Sequence, residues 1–179
     1  MLRRALLVAA FLVGTAAWIA LIHWMTRLES KPPPYLDIEL SEVPKGTPKF
    51  YTFHGTPLAL VRTTDEMLDD LQAHTVHTWN QRPIEANRPA FFVYSLVNPS
   101  DGCEVEHRPK GAERYAPERP WQGGYFDPCR FGEWDYAGRA IKQYADQDAQ
   151  RLHMADLDVP NFELRAGNTT LRITGVPKR

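Results

Sequence analysis

The sequence predicts an all-β domain carried behind one N-terminal transmembrane helix. Three observations in the 179 residues point there. Short apolar or alternating runs of strand length recur through the body of the chain. Turn residues separate those runs, and a long apolar segment followed by prolines precedes them.

The apolar segment runs from Ala5 to Met25 (ALLVAAFLVGTAAWIALIHWM) and is interrupted only by Gly14, Thr15 and His23. As a helix rising 1.5 Å per residue it covers about 32 Å, enough for a bilayer core. Trp18 lies within it and Trp24 at its end, where interfacial aromatics are favoured. Arg3 and Arg4 precede the run and Arg27 and Lys31 follow it, so charge alone does not orient it. A cleaved signal peptide with Thr15-Ala16-Ala17 as its small-residue site is the rival, and the length of the run favours an uncleaved anchor. The Arg3-Arg4 pair begins a twin-arginine export signal whose remainder is missing. Residues 1–28 are thus assigned as anchor. Residues 29–34 (ESKPPP) form a neck in which three prolines favour a semi-rigid polyproline II spacer.

Residues 35–179 suffice for one domain with its own core. Asp37 to Leu40 alternates polar and apolar. Lys49–Phe53 and Leu58–Arg62 flank His54-Gly55-Thr56-Pro57, which reads as a hairpin turn. Thr63 with Glu66 makes a capping box for a short helix over Asp65–Leu71. Ala90 to Val97 (AFFVYSLV) is a buried strand, Gln122 to Phe126 another, and Leu157–Leu164 and Thr169–Thr174 close the sheet.

Net charge is −1, from 21 basic and 22 acidic residues, which excludes the strongly positive surface of a nucleic-acid binder. There is no C-x-x-C or C-x-x-C-H, so neither a thioredoxin-like site nor covalent haem has support. No nucleophilic triad, phosphate-binding glycine loop or paired-carboxylate site can be argued from spacing. Between the cysteines, EVEHRPKGAERYAPERP (104–120) is mixed in sign and reads as a solvated loop or a recognition surface. His74 and His77 have metal-compatible i, i+3 spacing, but their polar segment favours surface histidines.

Residues 123–139 read GGYFDPCRFGEWDYAGR and carry the most information. From Asp127 onward they resemble, without a gap, the second cluster-binding motif of the Rieske iron–sulfur proteins, C-P-C-H-G-S-x-[FY]-D-x-x-G-R. Pro128, Cys129, Trp134, Asp135, Gly138 and Arg139 keep that frame. The family's first motif, C-T-H-x-G-C, matches Asn98-Pro99-Ser100-Asp101-Gly102-Cys103 in its last two residues. The ligands do not match. Asn98 and Ser100 replace the first cysteine and histidine, and Asp127 and Arg130 replace the second pair. A Rieske centre needs two thiolates and two imidazoles. A guanidinium has no lone pair to give.

The resemblance, over roughly residues 1–31, 35–75 and 90–175, implies a Rieske-like antiparallel β-sandwich. It implies a disulfide between Cys103 and Cys129, the family's non-ligand pair, worth roughly 3–4 kcal/mol. Two cysteines cannot supply both ligand thiolates and a disulfide; two unpaired buried thiols in a cytosolic protein are the alternative. A disulfide requires an oxidising compartment, hence a single-pass protein of the bacterial inner membrane with its N-terminus cytoplasmic and its body periplasmic. No cofactor is expected, a [2Fe–2S] cluster only if the ligand reading fails. The resemblance further implies partners among cytochrome b- or oxidase-type membrane subunits, with the lipid bilayer around the anchor. The leading expectation is a non-catalytic accessory subunit, structural, assembly or regulatory, of a respiratory complex. The alternatives are a working electron carrier and a free-standing periplasmic module binding a small anion or quinone head at Arg130. Asp127 and Arg130 are candidates to pair with each other. Phe131 is a docking contact or a plug, and His107 either stands near that tip or joins Cys103, Cys129 and Asp127 in an improvised metal site.

Overall fold

The computed structural model describes residues 15, 17–22, 34–84, 88–112, 121–142 and 154–177. The chain divides into two compact units, Met1–Pro33 and Pro34–Arg179. In the first, residue 15 and residues 17–22 are helical. The rest of the expected membrane span, and the neck up to residue 33, lie outside the described residues. Among the described residues no helix is long and apolar enough to cross a membrane.

The second unit is built from β1 (Leu36–Glu39), β2 (Lys49–Phe53), β3 (Thr56–Arg62), α1 (Asp65–Ala73), β4 (Phe91–Ser95), β5 (Glu106–Arg108), β6 (Gly124–Phe126), β7 (Glu133–Asp135), β8 (Asn161–Arg165) and β9 (Thr170–Gly175). The strands form three antiparallel three-stranded sheets, ordered β1-β9-β8, β2-β3-β4 and β5-β6-β7. The expected sandwich is therefore divided into smaller sheets. In the third, every strand is three residues long because a loop interrupts pairing at each end.

Local chemistry explains most boundaries. His54 and Gly55 both take positive φ (49° and 80°), so the β2–β3 hairpin closes through a two-residue turn. Thr56 and Pro57 belong to the strand rather than to the turn expected from sequence. Pro57 lies opposite Thr52, and its carbonyl accepts from Leu96 N at 2.8 Å. Helix α1 is capped by Thr64, whose side chain accepts from Met67 N at 3.1 Å; Thr63 instead donates to Pro89 O at 2.6 Å. The cap thus sits one residue later than the Thr63–Glu66 box predicts, and the helix continues to Ala73. Leu157 to Pro160, expected as strand, lies in no named strand; Leu157 N donates to Gly138 O and Asp158 O accepts from Ser95 N, both at 2.8 Å. The 104–120 segment is not simply loop: it contributes β5.

Two apolar clusters hold the sheets. One joins Ile38, Val43, Phe53, Leu58, Leu60, Val93, Leu171 and Ile173 between the first two sheets. The other centres on Trp134, Tyr125, Tyr94, Leu96 and Leu71, beneath the third sheet and α1. Arg139 is buried beside this second cluster. Its Nε donates to Asp135 Oδ2 (2.8 Å), and its Nη atoms to Leu71 O (2.6 Å), Arg82 O (2.7 Å) and Thr75 Oγ1 (2.9 Å). The guanidinium therefore ties the end of α1, where carbonyls lack helical donors, to the third sheet. Gly124 (φ 154°) is required there, since a Cβ would meet Trp134 O at 2.0 Å. The third sheet is thereby fixed as a platform whose ends project the two loops described next.

Candidate functional site

Two six-residue loops, Asn98–Cys103 and Asp127–Gly132, are built alike. Each opens on an Asx-Pro pair. In each, the first residue's N–H donates to the sixth carbonyl: Asn98 N to Cys103 O (2.8 Å) and Asp127 N to Gly132 O (2.8 Å). In each, the fifth N–H returns to the first carbonyl: Gly102 N to Asn98 O (2.9 Å) and Phe131 N to Asp127 O (2.8 Å). The opening side chain accepts from the third N–H through Oδ1: Asn98 from Ser100 N (2.9 Å), Asp127 from Cys129 N (2.7 Å). These are Asx turns, and proline in second place presets φ for the bend. The fifth residue has positive φ in both, Gly102 at 83° and Phe131 at 62°.

The twins are clasped through corresponding positions. First meets first: Asn98 Nδ2 donates to Asp127 Oδ2 at 2.7 Å, with both residues fully buried. Fourth meets fourth: Arg130 Nε lies 2.8 Å from Asp101 Oδ2. Cys103 and Cys129 are disulfide-bonded, with Cα atoms 6.4 Å apart. The expected disulfide is therefore present, and the alternative of free thiols is excluded. The expected Asp127–Arg130 ion pair is not formed. The Asp127 carboxylate faces inward, where Asn98 and the amides of Cys129 and Arg130 already occupy it. The guanidinium faces outward, with its side chain about half exposed, and finds Asp101. Adjacency in sequence favoured the wrong partner because the turn sends the two side chains in opposite directions.

The donor set does not fit a [2Fe–2S] cluster. Two of the positions that the resemblance aligns with ligands, Asn98 and Asp127, are bonded to each other at 2.7 Å. A third, Ser100, is exposed and contributes its amide to the turn. The fourth, Arg130, has no lone pair and is engaged by Asp101.

The loop ends face solvent: Pro128, Cys129, Arg130 and Phe131 are all exposed, Phe131 by 46%. The Phe131 ring is thus about half covered, with the Phe126 ring at 6.2 Å. His107 is not among the residues grouped with Cys103, Asp127 and Cys129, but it lines one groove with Cys103 and Pro128 of the two loops. It sits half-buried on β5, where Nε2 lies 3.0 Å from Tyr136 Oη, and its ring faces Phe50 at 5.6 Å. Burial lowers its pKa below the ordinary 6.5. His107 lines a groove of about 850 Å³ with Phe50, Tyr51, Glu104 and Glu106, and a second of about 400 Å³ with Lys110, Gln122 and Tyr136. His74 and His77 are half-buried rather than surface residues, their rings 5.8 Å apart, with His74 Nδ1 2.7 Å from Asp70 O.

Asp101 is the residue that sequence reasoning missed. Its carboxylate both receives Arg130 and accepts from Cys103 N at 2.9 Å, so it orders one loop while clasping the other. The signal was available: D-G-C and D-P-C place an aspartate two residues before each cysteine.

No protein-family model matches the chain. No curated protein matches it either. Among solved structures it is similar to a chain described as "Hyperthermophilic respiratory Complex III", at 13% identity over 92% of this chain and 97% of that one, with a TM-score of 0.45. That likeness is too distant to assign function.

Proposed function

We propose that this protein is a cluster-free, Rieske-like accessory subunit of a membrane electron-transfer complex, acting through a rigid docking tip rather than by carrying electrons. The observation that carries the reading is the clasp. Two loops whose sequence resembles a cluster grip are locked together by the Asn98–Asp127 bond, the Arg130–Asp101 pair and a disulfide. None of the four positions aligned with cluster ligands supplies a thiolate or an imidazole, yet the loops keep their amide bonds and their outer face stays open. Phe131, an exposed aromatic at positive φ, supports the docking role: a bulky side chain in the left-handed region costs roughly 1–2 kcal/mol, a strain commonly associated with functional positions. A site for a small anion at Arg130 is less well supported, because Asp101 already holds the guanidinium. In this proposal the apolar N-terminal run anchors the chain in the bacterial inner membrane and the disulfide-bearing domain lies in the periplasm.

The test is affinity purification of the tagged full chain after mild detergent extraction, with haem spectra and subunit analysis of the eluate. We expect haem-containing membrane subunits to co-purify, and the Arg130→Glu/Phe131→Asp variant to lose them. Elution of the wild-type chain alone removes the subunit reading. Stoichiometric iron and acid-labile sulfide with a Rieske electron paramagnetic resonance signal removes the cluster-free one.

A further inference from the structure

We propose that reduction of the Cys103–Cys129 disulfide converts the clasp into a binding site for a borderline-soft divalent cation of the zinc class, held by both thiolates and the Asp127 carboxylate. The two Sγ atoms and a carboxylate oxygen of Asp127 all lie within 4.8 Å of one another. A tetrahedral ion with bonds of about 2.0–2.3 Å needs ligands about this close, once the sulfurs part by a small side-chain rotation.

The argument turns on what holds the sulfurs in place without their mutual bond. Cys103 is fixed through its own amide to Asp101 (2.9 Å) and through its carbonyl to Asn98 N (2.8 Å). Cys129 is fixed through its amide to Asp127 (2.7 Å). Asn98–Asp127 and Asp101–Arg130 cross-link the loops independently of sulfur. The reduced clasp therefore keeps its two thiols facing each other. Asp127 Oδ1 is taken by turn amides, whereas Oδ2 accepts from Asn98 and retains a second lone-pair direction. Asn98 then stands behind the ligating carboxylate and orients it, as outer-shell partners do at metal sites. Cys129 is exposed, which admits a reductant and leaves one coordination position for water.

The chemistry balances. A protein dithiol transfers two electrons and two protons to the disulfide and leaves as its own disulfide, giving two cysteine thiols. The cation then displaces both thiol protons to solvent and takes the thiolates. Thiolate pairs select zinc-like ions over magnesium or calcium.

The experiment uses the full chain in detergent, reduced anaerobically with a phosphine, which is converted to its oxide and removed, and then titrated with cobalt(II). We expect thiolate-to-cobalt charge-transfer bands saturating at a single equivalent, bleached by zinc, and absent from the oxidised chain. Cys103→Ser should abolish the bands. Asp127→Asn should weaken binding on the order of tenfold or more, and Ser100→Ala should leave it unchanged. Far-ultraviolet circular dichroism of the reduced, metal-free chain should match that of the oxidised chain. Absence of the bands, equal affinity in Asp127→Asn, equal bands in the oxidised chain, or loss of the sheet signal on reduction each overturns the proposal.

Discussion

Replacing both cysteines by serine measures what the staple contributes. Cys103 and Cys129 are separated by 26 positions. Chain-entropy arithmetic for a loop of that length gives about 11.8 cal/mol/K, or about 3.5 kcal/mol at 25 °C, as the stabilisation from restricting the unfolded chain. The native-state contribution should be small by comparison, because the loops' own amide bonds and the Asn98–Asp127 bond survive the replacement. The expected loss is thus about 3.5 kcal/mol, against a total of roughly 5–15 kcal/mol for a domain of ordinary stability. The variant should fold, with Tm lower by about 10 °C for a domain of this size. Urea denaturation followed by tryptophan fluorescence reads both the midpoint and the slope. The slope should rise slightly in the variant, since the unfolded chain loses its cross-link and expands. A variant within about 1 kcal/mol of oxidised wild type would refute the entropic account, and a variant with no native sheet signal would show that the hydrogen bonds cannot hold the loops alone.

Arg139→Met removes the cation beside Asp135, whose carboxyl pKa burial already raises, and takes one donor each from the carbonyls of Leu71, which keeps Thr75 Oγ1 at 3.3 Å, and Arg82; we expect a loss of about 3–5 kcal/mol, partly recovered by Asp135→Asn in the same chain, read by urea midpoints. His107 has a folded pKa below its unfolded value of 6.5, so as pH falls the unfolded chain takes up the proton first. Stability should therefore decline from pH 6.5 downward through the folded pKa, and His107→Gln should flatten that part of a midpoint-against-pH curve. Phe131→Gly removes a side chain from the left-handed region but frees the unfolded backbone, so stability should change by less than about 1 kcal/mol. Co-purification of partner subunits with that variant should nonetheless fall sharply. Equal recovery would move the docking contact away from the tip.

What the sequence disclosed follows a physical divide. The strands read from the sequence were β2, β3, β4 and β9, which are long enough to show a period or an apolar run, together with the four-residue β1 and, within Gln122–Phe126, β6. Strands β5 and β7 have three residues each and no alternating burial, one being exposed or half-buried throughout and the other wholly buried. β8 is exposed at every position and carries no burial pattern, so its start was placed too early, at Leu157. The disulfide was legible only through resemblance, because two cysteines in a chain state nothing about their distance. The Asn98–Asp127 and Asp101–Arg130 bonds were not legible, since each joins positions 29 apart or on opposite loops. The Asx-Pro openings of both loops, however, are visible in the printed sequence and predict two bends of the same kind.

The clasp also bears on what kind of function to seek. A hydrogen bond between two fully buried polar side chains carries a large desolvation cost, which good geometry only offsets. An apolar contact at Asn98 and Asp127 would fix the distance between the loops without that cost. It would not, however, supply the acceptor that the Cys129 amide needs, nor the one that the Ser100 amide needs. The buried pair therefore does two things at once: it closes each turn and it joins the turns to each other. Turn shape and loop spacing are thereby coupled, so displacing one tip displaces the other. With the inner faces of the loops consumed by this coupling, the side chains available for recognition are those outside, Pro128, Arg130 and Phe131, presented as one stiff unit. Stiffness of this kind lowers the ordering cost of association, which favours a protein-docking role over a cavity that must open around a small molecule.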